Sequence, residues 1–314
     1  MSVTKKAAVH RFAHEAMATV FEIFIAGRKK EYAGQAARAA FAEVDRLERL
    51  FSRFDASSEI SRIGRLKPGE SLPVGLETAQ VLGLSAFIQT ETDGAFDINY
   101  LASGRPGRGR PSAAPRALSQ LVRVSHTGRG LEVSRPPGPV KGGLPGLDLD
   151  LGAVGKGYAL DAALAALKDW DIGNVLLHAG TSTALAAGPG PGEGEGWPVG
   201  AGSSRGRTAG PGRVILKNRA LSGSGTEVKG EHIVDPRTGR PARGHVAAWA
   251  SHPSAASSDA LSTAFLVMTT GAVAAFCGRH PAVWSLVKTG PETCRIFNAD
   301  AIGGGRRARR RRPR

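Results

Sequence analysis

The stretch LDLDLGAVGKGYALD, residues 147–161, decides how this chain is organised. Leucines alternate with Asp148 and Asp150, and a period of two is typical of a β-strand with one buried face. Three glycines within six positions follow, with Lys156 between the last two, and a helix-like run covers residues 158–170. The pattern therefore predicts a strand, a glycine turn that carries a lysine, and then a helix.

This glycine turn suits an anion. Glycine lets the backbone approach a ligand closely, and the start of a helix offers free N–H groups and the positive end of the helix dipole. The glycine spacing differs from that of a Walker A loop and from a GxGxxG fingerprint, so neither motif is indicated. The alternative is a tight turn with a solvated lysine, and the stretch alone leaves both interpretations open.

Composition and charge describe a globular chain with a basic end. The 314 residues suffice for one large domain or two modest ones, and 41% are hydrophobic. Seven arginines lie in residues 306–314, and removing their seven charges from the net +15 leaves +8. Such a run is typical of a disordered tail, and nonspecific contact with RNA or an anionic surface is the alternative.

Cysteine usage and the N-terminus bear on the compartment. Cys277 and Cys294 have no CxxC spacing and no local histidine, which argues against a zinc site or a disulfide framework. The first twelve residues contain no apolar segment and no lipid-accepting cysteine, and no stretch approaches the ~20 apolar residues of a transmembrane helix. We therefore expect a cytoplasmic protein without a transmembrane segment.

Periodicity and turn residues predict the other elements. We expect helices over residues 30–51, 76–91 and 259–268, and a short one that begins at Glu59 with Ser57 or Ser58 as its N-cap. The expected strands and strand pairs lie at residues 12–26, 118–133, 174–187, 214–222, 245–252, 282–287 and 293–298, with a short extended piece in 92–101. Residues 103–116 read as a surface loop and 188–212 as a mobile insertion. Strands and helices mix without βαβ alternation, which predicts the α+β class.

Asp259 and Thr263 form a candidate metal site. They are spaced i and i+4, so on a helix both point from one face. We expect Asp259 in the first turn, after Ser257 or Ser258 as N-cap. A carboxylate beside a hydroxyl suits Mg²⁺ or Ca²⁺. The alternative is a capped helix in which Thr263 bonds a backbone carbonyl.

Two further turns contain polar residues. EHIVDPRTG, residues 231–239, has an Asp-Pro turn signature beside His232, which could be an acid, a base, a ligand or a structural residue. SGSGT, residues 222–226, could hold a phosphate or simply link strands.

Together these pieces resemble the ApbE family of flavin transferases. The resemblance runs in order along most of the chain: MAT at 17–19, FSRFDASSEISRI at 51–63, TDGAFDI at 92–98, DLGAVGKGYALD at 150–161, HAG at 178–180, SG at 224–225, HIVDPRTG at 232–239 and SDALSTA at 258–264. It implies an α+β, T-fold-like domain of two lobes with mixed sheets and packed helices. That domain would cover residues 1–302, followed by the arginine-rich tail 303–314.

The resemblance also implies an activity and a set of site residues. The activity is Mg²⁺-dependent transfer of FMN from FAD to a Thr or Ser of an acceptor flavoprotein, with release of AMP. The matched magnesium ligands are Asp259, Thr263 and the Ala153 carbonyl. The positions matched to FAD contacts are Met17, Phe54, Ala95, Phe96, Asp97, Asp150, Lys156 and Val234. Asp259, Lys156 and His232 are the expected catalytic residues, and Asp161 is a common family residue.

The chain departs from the family pattern at several positions: Ala18 replaces a usual Gly, Thr181-Ser182 replaces Gly-Asp or Gly-Asn, Glu231 stands where a second His is frequent, and Phe54 replaces an expected Tyr. Two of the changes add bulk near the expected pocket. The alternatives are therefore a weakened FAD-binding protein, or an FAD pyrophosphatase that uses water and gives FMN and AMP. No feature points to specific nucleic-acid binding.

Overall fold

One large antiparallel sheet and three small ones contain the strands of the described residues. The computed structural model describes residues 7–103, 116–137, 146–192, 194–201, 212–225, 233–290 and 293–302. In chain order the strands are β1 (Val9–Ala16), β2 (Thr19–Ala26), β3 (Ser71–Pro73), β4 (Arg123–Thr127), β5 (Gly130–Ser134), β6 (Val175–Ala179), β7 (Thr183–Ala187), β8 (Trp197–Ala201), β9 (Gly212–Leu216), β10 (Arg219–Gly225), β11 (Val234–Asp235), β12 (Arg240–Pro241), β13 (Ala247–His252), β14 (Trp284–Lys288) and β15 (Cys294–Phe297). The large sheet has the order β1-β2-β6-β7-β10-β13-β14-β15, and the small sheets are β3-β5-β4, β8-β9 and β11-β12.

The helices pack mainly on one face of the large sheet. They are α1 (Lys30–Phe51), α2 (Glu59–Gly64), α3 (Leu76–Glu91), α4 (Leu118–Leu121), α5 (Gly155–Asp169), α6 (Ala255–Val267) and α7 (Thr270–Arg279), with 3₁₀ turns at Tyr100–Ser103 and Ala299–Ile302. Helix α5 packs between α1 and α6, and α6 lies against β10 and β13. The opposite face of the sheet carries a second apolar cluster, in which Trp197 and Leu216 of the β8–β9 hairpin cover Trp249 and Leu286.

The long helices follow the apolar periodicity of the sequence. Helix α1 buries one stripe against the core (Ala33, Ala36, Ala37, Ala40, Phe41, Val44, Leu47 and Phe51). The predicted bounds of α1 and α3 are confirmed, and Ser58 is the N-cap of α2, where it accepts a hydrogen bond from Ser61 N. The α+β class is confirmed. The described strand pairs are antiparallel throughout, whereas the resemblance implied mixed sheets.

The predicted strand over residues 147–151 is wrong. Leu147, Leu149 and Leu151 are buried as the alternation predicted, but the segment joins no described sheet. It is held instead by single contacts, such as the hydrogen bond from Asp150 N to Ile98 O at 2.7 Å. A period of two reports an extended backbone with one buried side, and it does not specify which groups pair with that backbone.

Other boundaries differ where turns interrupt the pattern. The expected strand over 214–222 is two strands, β9 and β10, because Asn218 adopts a left-handed conformation with φ 52°. Strand β8 lies inside the segment read as a mobile insertion, α7 was not predicted, and the extended piece expected before residue 101 is the 3₁₀ turn Tyr100–Ser103. Most of the predicted surface loop (104–115), part of the predicted insertion (202–211) and the arginine-rich tail (303–314) lie outside the described residues. No helix in the described part of the chain combines the length and hydropathy of a membrane span.

Candidate active site

The start of helix α5 touches the start of helix α6 through Gly157. A Cβ atom at Gly157 would lie 2.6 Å from the Ala255 carbonyl carbon and 2.8 Å from Ala256 Cα. These are backbone atoms, which cannot rotate away as a side chain can. Only glycine therefore permits this contact. The second glycine of the GKG turn thus has a packing role, and it brings the turn against the helix that carries Asp259.

Asp161 fixes the same junction one turn further along α5. Its carboxylate accepts hydrogen bonds from Ser254 Oγ at 2.8 Å, Ala255 N at 2.8 Å and Ala256 N at 3.0 Å. Burial raises the pKa of the Asp161 carboxyl, while these donors act in the opposite direction. Asp161 therefore satisfies free N–H groups at the first turn of α6 and ties the two helices together.

The expected N-cap of α6 is wrong. The cap is Ser254, whose Oγ accepts from Ser257 N at 3.2 Å, rather than Ser257 or Ser258. Helix α6 begins at Ala255, so Asp259 lies in its second turn and not in its first. The extra turn places the Asp259 side chain inside the protein, 4% exposed, beside the GKG turn.

Asp259 is held on both of its carboxylate oxygens. Oδ2 accepts from Gly157 N at 3.2 Å, and Oδ1 accepts from Thr183 Oγ1 at 3.2 Å. Lys156 Nζ lies 3.9 Å from Oδ2. A buried carboxylate is costly unless it is paired and hydrogen-bonded, and here both conditions are met. The structure thus brings Lys156 and Asp259 together, and it adds Thr183, which sequence reasoning missed.

Hydroxyl groups continue the site around Thr263. Ser224 Oγ lies 2.9 Å from Ser262 Oγ and 3.2 Å from Thr263 Oγ1. Thr263 Oγ1 also lies 3.5 Å from the Asp259 carbonyl oxygen. This is the backbone contact that the capped-helix alternative expects, but it is long for a hydrogen bond. Ser222 and Ser224 lie in strand β10, so the turn expected over residues 222–226 is wrong for the described part of it.

The oxygen donors suit a hard cation. Gly157 N donates to Asp259 and not to the Ala153 carbonyl four residues earlier, so that carbonyl lacks the usual helical hydrogen bond. A carboxylate, the Thr263 hydroxyl and a backbone carbonyl are ligand types that Mg²⁺ takes. The described residues contain no group of three or more His, Cys, Asp or Glu side chains that could hold a metal ion.

Lys156 folds over its own turn. Its ammonium donates to the Gly152 carbonyl, and its side chain is 22% exposed. The turn is closed from the other side, because Gly152 N donates to Asp150 Oδ1 at 2.8 Å. The Lys156 side chain is therefore neither fully exposed nor buried, and its amine lies between the Gly152 carbonyl and the Asp259 carboxylate.

A charged network connects Asp150 to an exposed aromatic ring. Asp150 Oδ2 accepts from Arg53 at 3.2 Å and from the Tyr100 hydroxyl at 3.3 Å, and Arg53 also pairs with Asp148 at 3.2 Å. The Arg53 guanidinium lies 5.4 Å from the ring centroid of Phe54, which is 90% exposed. Burial, with the nearby Asp150 charge, raises the pKa of Tyr100 to about 12. An exposed ring beside a fixed guanidinium is a surface on which a planar heterocycle can stack.

The Ala95–Asp97 run adjoins this network through the backbone. Ala95 and Phe96 are buried in the core, so their side chains are not available to a ligand. Asp97 accepts from Asn99 N at 2.8 Å, and burial raises the pKa of its carboxyl to about 6. Ile98 next to it bonds Asp150 N, which puts the Asp97 segment beside the turn.

The Asp-Pro turn near β11 lies against this region. A Cβ at Gly94 would be 3.5 Å from Arg237 Cγ, and Arg237 pairs with Asp235 at 2.9 Å. Val234 is buried at the start of this small hairpin. His232 lies outside the described residues, so its catalytic role stays a prediction.

Met17 lies at the end of the sheet that faces the site. Met17 and Ala18 both have left-handed backbones, with φ 49° and 56°, and Met17 N donates to Glu48 Oε1 at 2.8 Å. The next turn along the sheet begins at Gly180, whose N–H donates to Val20 O at 2.9 Å. Ser182 O in turn accepts from Gly223 N at 2.8 Å. Two neighbouring turns therefore lead from Met17 to the Ser222 and Ser224 hydroxyls of strand β10.

Comparison with known proteins identifies the family that this chain matches. The sequence profile of the ApbE family matches residues 17–286. A protein of Salmonella typhimurium named FAD:protein FMN transferase is 25% identical over 272 residues, which cover 81% of this chain and 77% of the relative. One of the same name from Klebsiella pneumoniae is 25% identical over 242 residues, covering 72% and 68%.

Solved structures show the same fold. The ApbE protein of Thermotoga maritima has a TM-score of 0.70 at 25% identity, over 89% of this chain and 94% of that one. The apo flavinyl transferase ApbE of Pseudomonas stutzeri has a TM-score of 0.71 at 22% identity, over 97% and 100%. Since the family profile covers most of the sequence and the fold agrees along nearly its whole length, the chain belongs to the ApbE family.

Proposed function

We propose that this protein transfers FMN from FAD to a Thr or Ser hydroxyl of an acceptor flavoprotein in a Mg²⁺-dependent reaction. The observation that carries the proposal is the junction of Gly157, Lys156 and Asp259, where a glycine turn, an ammonium and a buried carboxylate meet. A pyrophosphate and its cation require these three kinds of group. The names of the relatives support FAD as the flavin donor.

The reaction is a displacement at phosphorus. The acceptor oxygen forms a bond to the FMN-side phosphorus, the bridging P–O bond of the pyrophosphate breaks, and AMP leaves with that oxygen. The proton of the acceptor hydroxyl must pass to a base, and we propose His232 for this role. Bound Mg²⁺, held by Asp259, Thr263 and the Ala153 carbonyl, would neutralise charge on the phosphate oxygens.

The chain's own residues supply position and charge. The Lys156 amine lies beside Asp259, so it can exchange its hydrogen bond to the Gly152 carbonyl for one to a phosphate oxygen bound there. Phe54, with Arg53 beside it, offers a stacking surface for a flavin or adenine ring. Asp150 lies between the Arg53–Phe54 surface and the lysine turn, and the Ala95–Asp97 backbone adjoins it.

The experiment combines FAD, Mg²⁺ and the purified protein, with and without a candidate acceptor flavoprotein. Covalent flavin fluorescence on the acceptor together with AMP release supports the transferase. FMN and AMP formed equally without acceptor would identify a pyrophosphatase. Unchanged FAD with measurable affinity would identify a binding protein, the outcome that the bulk of Thr181-Ser182 permits.

The metal assignment is tested with Asp259→Ala. We expect Mg²⁺-dependent turnover to disappear while circular dichroism shows a folded protein. Near-normal turnover of the folded variant at low Mg²⁺ would overturn the assignment. The extent of the domain over residues 1–302 and the cytoplasmic location stay predictions.

A further inference from the structure

A chain of two buried hydroxyls leads to the Asp259 carboxylate. Ser222 Oγ lies 3.2 Å from Thr183 Oγ1, which lies 3.2 Å from Asp259 Oδ1. Ser222 is 0% exposed and Thr183 is 2% exposed. The three residues come from β10, β7 and α6, so the contact joins the sheet to the helix that carries the carboxylate.

The chemistry of the three groups fixes the direction of these hydrogen bonds. An ionised carboxylate can only accept, so Thr183 must use its single hydroxyl hydrogen toward Asp259. Its oxygen is then left as an acceptor, and Ser222 donates to it. The order Ser222 to Thr183 to Asp259 leaves no hydroxyl hydrogen of Thr183 free to turn elsewhere.

The carboxylate is therefore held at two points by two elements. Thr183 of β7 binds Oδ1 and Gly157 N of α5 binds Oδ2. Together they prevent rotation of the carboxylate about its Cβ–Cγ bond, and each oxygen keeps a lone pair for another ligand. A metal ligand fixed in this way loses little freedom when the cation binds.

We propose that Thr183, supported by Ser222, is a positioning residue that orients Asp259 for the cation. The proposal rests on the metal assignment of the proposed function. It adds Thr183, to which no sequence pattern points, and it gives Ser222 a role other than the phosphate site or strand link considered for residues 222–226. Thr183 itself touches neither substrate nor cation. Its effect passes through the orientation of Asp259.

The test measures metal binding directly, without FAD. Mn²⁺ serves as the probe, and its free concentration is followed by electron paramagnetic resonance during titration of the apo protein. Loss of a group that orients a metal ligand typically weakens metal affinity by about 10–100-fold. We expect Thr183→Val to weaken Mn²⁺ binding within that range, Thr183→Ser to restore most of it, and Ser222→Ala to have a smaller effect of the same sign.

The chain offers a matched control in Thr78. This residue of α3 is 0% exposed, and its Oγ1 has no hydrogen-bond partner among the described residues. Thr78→Val makes the same change of side chain in a buried place away from the site, and we expect unchanged Mn²⁺ affinity. A weakening shared by Thr78→Val would show a general packing effect and overturn the proposal.

The remaining outcomes separate this inference from the proposed function. If the wild-type protein binds no Mn²⁺, the metal assignment fails and the positioning role fails with it. If the wild type binds Mn²⁺ and folded Thr183→Val binds it equally, only the positioning role is refuted. Should Thr183→Val not fold, Ser222→Ala decides, because unaltered affinity there would mean that the hydroxyl chain does not orient Asp259.

Discussion

Replacing Gly157 with alanine tests whether the contact between α5 and α6 sets the geometry of the site. The new Cβ would lie 2.6 Å from the Ala255 carbonyl carbon and closer still to its oxygen, whereas ordinary contact begins at 3.4 Å, so the helices must separate by at least about 0.8 Å. Both contacting groups are backbone, so a rotamer change cannot relieve the overlap. The separation also lengthens the 3.2 Å hydrogen bond from Gly157 N to Asp259 Oδ2.

Two consequences follow, with different magnitudes. Overpacking of this kind costs about 1–3 kcal/mol of the free energy of unfolding. A displacement of about 1 Å at a catalytic group can cost roughly 100-fold in rate. We therefore expect Gly157→Ala to remain folded, with a lower melting midpoint and a loss of AMP release from FAD on the order of 100-fold.

The assay pairs thermal unfolding with single-turnover AMP release, and Gly83→Ala serves as the control. Gly83 also lies inside a helix, but nothing approaches its Cβ position within 4 Å, so alanine there should stabilise α3 by roughly 1 kcal/mol and leave turnover unchanged. Wild-type turnover in folded Gly157→Ala would refute the claim that this contact positions Asp259.

Three further predictions follow from other parts of the site. Lys156→Ala should lower turnover with FAD by about 10- to 100-fold, since a hydrogen bond to a charged group contributes roughly 1.5–3 kcal/mol. Lys156→Arg should recover part of the loss, and unaltered rates and FAD affinity in Lys156→Ala would favour the solvated-lysine alternative. Ala18→Gly should raise the free energy of unfolding by roughly 0.5–1 kcal/mol, because the left-handed strain it relieves exceeds the added entropy of the unfolded chain; a lower unfolding midpoint would contradict this. Burial raises the pKa of Asp97 from 3.8 to about 6, so the folded state holds the proton up to a higher pH than the unfolded state does. The free energy of unfolding therefore falls as the pH rises through this interval. In chemical denaturation, Asp97→Asn should show a weaker fall over that interval, and an identical pH profile would remove Asp97 as its source.

Local order followed directly from the sequence. The apolar patterns of Lys30–Phe51 and Leu76–Glu91 predicted the first and last residues of both helices correctly, because a helix buries side chains at a fixed short spacing. The GKG turn at the start of a helix and the Asp259/Thr263 pair were found in the same way. Each of these signals lies within a few residues of chain, where the backbone alone determines which side chains are neighbours.

Contacts between distant segments were decided only by the tertiary structure. Thr183 and Asp259 are 76 positions apart, and no local pattern marks a threonine in a buried strand as the partner of a carboxylate. The alternation over residues 147–151 predicted which side chains are buried, but it did not show that this segment pairs with no described strand. Asp161 was matched only as a common family residue, and its contacts with the backbone at the start of α6 are visible only in the tertiary structure. The sequence thus determined the long helices and many of the residues that could do chemistry. Packing between elements decided which donors meet which acceptors, because a hydrogen bond depends on distance in space and not on separation along the chain.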